Sequence, residues 1–106
     1  MTCNSADNLN THSLAFLAKC LADENRLRIL FCVSTEKKSV SRIVEELGLS
    51  QPLVSHHLKE LKRALLVKVE RSGPFVYYEM TDPRILVILA GLDELGAALL
   101  SERTTF

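Results

Sequence analysis

A chain of 106 residues is the size of one domain, and 47% hydrophobic with 25% charged residues is a globular balance. Tryptophan is absent and aromatics are few, so aliphatic residues have to fill the core. The formal net charge is zero, so overall composition does not point to nucleic acid, and the longest apolar run (residues 85–92) is far below the roughly 20 residues of a membrane span.

The charge is unevenly placed. Residues 26–79 hold ten basic and six acidic side chains, whereas residues 1–25 hold one and three, and residues 80–106 two and four. A basic centre between acidic flanks fits a DNA-facing module. The three cysteines, Cys3, Cys20 and Cys32, are odd in number and widely spaced, and residues 1–13 lack the apolar run of a signal peptide. This reads as a cytoplasmic protein with reduced thiols.

Residues 1–12 are polar and read as a flexible tail. Leu14, Leu17, Ala18 and Leu21 recur at helical spacing and predict a first helix from about Ser13 to Leu21. Asp23 or Asn25 caps a second, with Leu27, Leu30 and Phe31 on its apolar face, ending near Ser34. The segment TEKK (35–38) reads as a polar turn. Ser39 caps a third helix whose Val40, Ile43, Val44 and Leu47 make one narrow stripe, and Gly48 ends it. Ser50 caps the next helix, with Pro52 in its first turn and Val54, Leu58, Leu61 and Leu65 expected on its inner face. Two short helices joined this tightly make a helix-turn-helix.

The period then changes. VKVER (67–71) alternates, Ser72, Gly73 and Pro74 form a turn, and FVYYEM (75–80) is rich in strand formers. A hairpin in this place is a wing. Asp82 and Pro83 open a last helix that is apolar almost all round from Ile85 to Leu92. A domain this small cannot cover such a helix alone, so a partner subunit is its expected cover. The fold class is therefore mainly α with a small β-hairpin, a dimeric winged helix-turn-helix over residues 13–100, with a C-terminal tail at 101–106.

Three segments carry a family resemblance. CLADENRLRIL (20–30) resembles the ALADPTRLRIL signature of the ArsR/SmtB repressors. GLSQPLVSHHLKELKRALLV (48–67) resembles their recognition segment, and ERSGPFVYYEM (70–80) resembles their wing. The resemblance covers about residues 13–95. It implies a homodimer joined through the first and last helices, binding double-stranded operator DNA at an inverted repeat and released by a ligand.

On that reading helix 50–65 lies in the major groove. Gln51, Leu53, Ser55, His56 and Lys59 face outward, with His57 at the boundary. Gln51 suits adenine, Ser55 and His56 suit base edges or phosphates, and Leu53 suits a thymine methyl. Lys37, Lys38, Arg42, Lys59, Lys62, Arg63 and, on the wing, Arg71 are the expected phosphate contacts. The family usually has glycine where this chain has Leu65. Leucine there would cost roughly 1 kcal/mol in a left-handed conformation, so the helix is expected to run on or end differently.

The same resemblance frames what is sensed. Soft-metal sensors of the family carry a Cys-x-Cys pair where this chain has Ser39 and Ser41, and a hydroxyl does not replace thiolate for a soft ion. Zinc-type sensors use a four-ligand set that falls here on Asp82, Arg84, Leu95 and Ala98. No metal site and no cofactor is expected. Thiol chemistry remains: Cys20 and Cys32, with or without Cys3, are candidates for a reactive sensor responding to arsenite or reactive sulfur. No nucleophile–base pair, phosphate loop or carboxylate pair indicates an enzyme. The alternatives are a constitutive or partner-controlled winged-helix regulator and a protein-interaction module.

Overall fold

Each helix starts where a short polar side chain satisfies a free backbone N–H, and the computed structural model, which describes residues 8–103, shows those caps one by one. Asn10 accepts from Ser13 N at 3.0 Å and starts α1 (Thr11–Leu21), two residues before the expected position. Asp23 accepts from Arg26 N at 3.0 Å and starts α2 (Glu24–Cys32). Ser39 and Ser50 do the same for α3 (Val40–Leu47) and α4 (Gln51–Arg63). Gly48 ends α3 in the left-handed conformation at φ 67°, as its place before Leu49 and Ser50 suggests.

The wing follows as β1 (Val67–Ser72) and β2 (Phe75–Met80), antiparallel, with Val67 opposite Met80 and Ser72 opposite Phe75. Its two-residue turn is Gly73-Pro74. Gly73 sits at φ 61°, and proline cannot take a positive φ, so the arrangement is type II′. The last helix, α5 (Arg84–Arg103), runs past residue 100.

One core joins these parts. Ile29, Leu30 and Val33 meet Ile43 from α3, Val54, Leu58 and Leu61 from α4, and Val67 from the wing. The wing is also tied to the chain before α3. Lys38, expected in a polar turn, pairs with Tyr78 through two backbone hydrogen bonds of 2.9 and 2.8 Å. This bridge orients the hairpin relative to the helix-turn-helix.

The end of α4 corrects two expectations. Leu65 is not on the inner face: it is 77% exposed. Nor does the helix avoid the left-handed ending. Leu65 adopts φ 64°, while Leu66 N donates to Leu61 O at 2.9 Å and Leu65 N to Lys62 O at 3.0 Å. Those two bonds are the Schellman closure that glycine usually makes. Leu66 then turns back into the core beside Leu61, which is what the strained leucine secures.

Candidate nucleic-acid interface

The turn Gly48-Leu49-Ser50 presents α4 with its outer face free. Gln51, Ser55, His56, Lys59, Lys62 and Arg63 are exposed, and Leu53 is half-buried. Gln51, Ser55 and Lys59 stand four residues apart, so they share one face. Among the described residues, no hydrogen bond or ion pair engages the side chains of Gln51, Ser55, His56, Lys59 or Lys62, and the His56 ring stands 5.4 Å from that of His57. Their donors and acceptors are available to a partner. Arg63 stands 3.6 Å from Glu60, an exposed pair of small energy. Arg71 is exposed near the wing tip, beyond Lys68, which faces Glu79 at 3.6 Å.

The basic residues before and within α3 are arranged differently. Lys38 is only 8% exposed. Its ammonium donates to Glu46 at 2.8 Å and to the Cys32 thiol at 3.5 Å, so it is turned away from any phosphate. Arg42 bonds Glu46 and Glu36, both at 2.7 Å. Lys37 pairs with Glu70 and lies over the Tyr77 ring, 5.3 Å from its centroid. Hydrogen bonds from Lys38 and then Arg42 hold the Glu46 carboxyl down to about 2. Sequence reasoning counted these cations without their partners; Glu46 stands at i+4 from Arg42 and was legible as its partner, whereas Glu46 beside Lys38 and Glu70 beside Lys37 become visible only once the fold brings them near.

His57 also turns inward. It is 5% exposed, and its Nδ1 accepts a hydrogen bond from Arg26 Nε at 3.2 Å. It therefore leaves the outer face that Gln51, Ser55 and His56 define. Arg26 donates as well to the Cys20 carbonyl at 3.1 Å, joining the ends of α1 and α2 to the middle of α4. Arg28 does similar service for α3, donating to Leu47 O at 3.0 Å and to Asn25 at 3.1 Å. Neither arginine was singled out by sequence reasoning, although their placement off the apolar face of α2 was the available signal.

The thiols do not meet as a bridge. Cys20 and Cys32 are both free. Cys20 is buried, its Sγ 3.7 Å from the Glu60 carbonyl on α4. Cys32 lies instead against Lys38 and Glu46, and burial pushes its thiol up, with Lys38 opposing. Cys3 is outside the described residues. Ser39 and Ser41 place their hydroxyls 3.3 Å apart at the start of α3. Asp82 is engaged by Arg84 at 2.7 Å, which holds its carboxyl down to about 2, and it accepts from Arg84 N at the start of α5. Among the described residues no three His, Cys, Asp or Glu side chains gather as a metal site. No helix among them is long and apolar enough to cross a membrane.

The comparisons with known proteins agree with this geometry. The family described as "Bacterial regulatory protein, arsR family" matches residues 23–69, which span α2, the helix-turn-helix and the start of the wing. The "Uncharacterized HTH-type transcriptional regulator MJ1325" of Methanocaldococcus jannaschii is 37% identical over 82 residues, covering 76% of this chain and 92% of its own length. The chain belongs to the ArsR family.

Other relatives and solved structures extend the likeness. The HTH-type transcriptional repressor SmtB of Mycobacterium tuberculosis is 38% identical over 73 residues, 69% of this chain but only 54% of that protein. The crystal structure of Rv0081 from M. tuberculosis superposes with a TM-score of 0.77 at 30% identity, covering 89% of this chain and 94% of the other. The homodimeric winged helix-turn-helix domain Mb0332 from Mycobacterium bovis, solved by NMR, gives 0.74 at 24% identity over 92% and 88%, which bears on the fold alone. The relatives are regulators of transcription, and the fold is that of the family.

Proposed function

We propose that this ArsR-family chain is a cytoplasmic homodimeric repressor that sets α4 into the major groove of an inverted-repeat operator and leaves it when a signal arrives. The observation that carries the reading is the outer face of α4: Gln51, Ser55, His56, Lys59 and Lys62 stand exposed on a capped, internally pinned helix. Gln51, Ser55 and His56 read base edges, with Leu53 against a thymine methyl. Lys59, Lys62, Arg63 and the wing's Arg71 hold phosphates. Lys38 is turned inward, Lys37 and Arg42 are held in surface ion pairs with Glu70, Glu36 and Glu46, and His57 supports α4 from behind.

The dimer is supported by the uncovered apolar surface of α1 and α5. Val87 and Ile88 are 71% and 67% exposed, and a groove of about 610 Å³ lined by Leu14, Leu17, Ile88 and Leu92 runs between the two helices. That surface suits an obligate interface. The relative SmtB is named a repressor.

The signal is a thiol-reactive agent, arsenite or reactive sulfur, acting at Cys20, whose sulfur touches the backbone of α4. Cys32 acts separately, on the Lys38–Glu46 pair. The test is anisotropy of a labelled duplex from the gene's own upstream region, across salt, with arsenite, zinc and tetrasulfide added in turn. Salt-sensitive binding, weakened by Gln51→Ala and His56→Ala in a base-dependent way and by Lys62→Ala uniformly, is the expected result. Release by arsenite or tetrasulfide that disappears in Cys20→Ala supports the thiol signal. Release unchanged when Cys20 and Cys32 are both replaced by alanine, or absent with every addition, refutes it. Binding no tighter than to random duplex supports the interaction-module alternative instead.

A further inference from the structure

Among the described residues, His57 is the buried polar side chain of α4, and DNA contact does not use it. It sits where α4 crosses the start of α2. Arg26 and Asp23 face it from α2 and its cap, and His56 faces it from α4 itself, with ring centroids 5.4 Å apart. From α1, the Cys20 carbonyl and thiol engage the same Arg26 at 3.1 and 3.9 Å, which fixes the guanidinium in place.

The chemistry of this contact allows one protonation state. A guanidinium N–H can only donate, so Nδ1 of His57, 3.2 Å from Arg26 Nε, must offer a lone pair. The ring proton then lies on Nε2, directed at the Asp23 carboxylate 3.6 Å away. An imidazolium carries hydrogen on both nitrogens. It would set donor against donor and cation against cation at a site with almost no access to water. The facing carboxylate of Asp23 is itself partly exposed and lies beyond hydrogen-bond distance, so it offsets only part of that cost.

We infer that His57 is a positioning residue that makes operator binding proton-linked: the neutral ring ties the recognition helix to α2 through Arg26, and protonation breaks the tie and weakens DNA binding. The inference rests on the reading of α4 as the DNA-contacting helix. Burial pushes the imidazole below its ordinary value; Asp23 opposes this, while Arg26 and His56 add to it. The ring is therefore neutral near neutral pH, and the loss of affinity belongs on the acid side of about 6.5.

The experiment is duplex anisotropy with the full chain from about pH 8 to about pH 5.5 at constant ionic strength, on wild type, His57→Asn and His56→Asn. The asparagine oxygen can accept from Arg26 and does not titrate. The wild type should lose roughly three- to tenfold in affinity per protomer across that range, while His57→Asn stays tight. His56→Asn alters a base-reading side chain and should bind more weakly than the wild type at every pH, yet it should still lose affinity towards acid because His57 is intact. Wild-type affinity that stays level, or that changes in step with His57→Asn, overturns the inference.

Should His57→Asn not fold, nitrogen-detected NMR of the wild-type ring decides. A ring that begins neutral with Nδ1 unprotonated and titrates together with the loss of binding supports the inference. A ring that stays neutral while binding is lost overturns it. Failure to bind any duplex at about pH 8, including selected random sequences, overturns the DNA reading and the inference together. Tight binding at that pH without the His57-dependent loss overturns the inference alone.

Discussion

Leu65 shows how a single residue can be strained in the service of its neighbours. An L-residue at φ 64° costs about 1–2 kcal/mol, and an exposed leucine recovers little of that by burial. Leu65→Gly should therefore raise stability by about 1 kcal/mol, less whatever glycine adds to the freedom of the unfolded chain. Urea unfolding at fixed protein concentration measures this, and an unchanged or lower midpoint would show that the leucine side chain is needed. The sequence alone placed a helix end near residue 65 but not its geometry, because propensity argues against leucine in that conformation and only the bonds from Leu65 and Leu66 override it. The acid response is also set by single residues. His57 has a folded value below its unfolded one, so its contribution to stability is complete above about pH 6.5 and is lost as pH falls through the lower folded value. Glu46 is lowered from 4.5 to about 2, so its contribution is complete above about 4.5 and is lost as pH falls through about 2. Thermal unfolding against pH should thus decline below about 6.5 and again in the carboxylate range, with His57→Asn removing the first part and Glu46→Gln reducing the second, to which Asp82 also contributes.

The elements of the helix-turn-helix are held by caps in front and arginines behind. The Ser50 hydroxyl oxygen accepts from Leu53 N, so Ser50→Ala should cost about 1 kcal/mol and weaken DNA binding with it, because α4 loses the order of its DNA-facing end. Denaturant curves beside anisotropy check this, and a stable variant with normal affinity would contradict it. The caps of α2, α3 and α4, the two glycine turns, the apolar stripe of α3 and that of α4 as far as Leu61 were legible from residue type and spacing, since each rests on contacts only a few residues apart. The inward turn of His57, the burial of Lys38 and the Lys38–Tyr78 bridge were not. They arise from pairs separated by 31, 8 and 40 positions, where the fold supplies the partner and no local pattern signals it. For the same reason the boundary position of His57 was recognised from helical phase, but not the side to which it would turn.

At the scale of the molecule, the protomer is extended: its Cα radius of gyration is 16.4 Å, where a compact chain of this length has about 13 Å. The excess fits α5 standing out with apolar side chains on most of its surface. Ile88→Glu should convert the proposed dimer to monomer and lower the melting temperature, since a charge replaces an apolar contact at the centre of the α1–α5 groove. Sedimentation and calorimetry read this, and a dimer that survives the substitution would place the interface elsewhere. The uncovered α5 has a further consequence for inheritance. On the proposed assembly, a copy with a disabled α4 but an intact α5 would still pair with normal copies, giving each mixed dimer a single competent reading head. Such an allele would be dominant, suppressing the normal protein in proportion to its dose, whereas an allele damaged in α5 would be recessive.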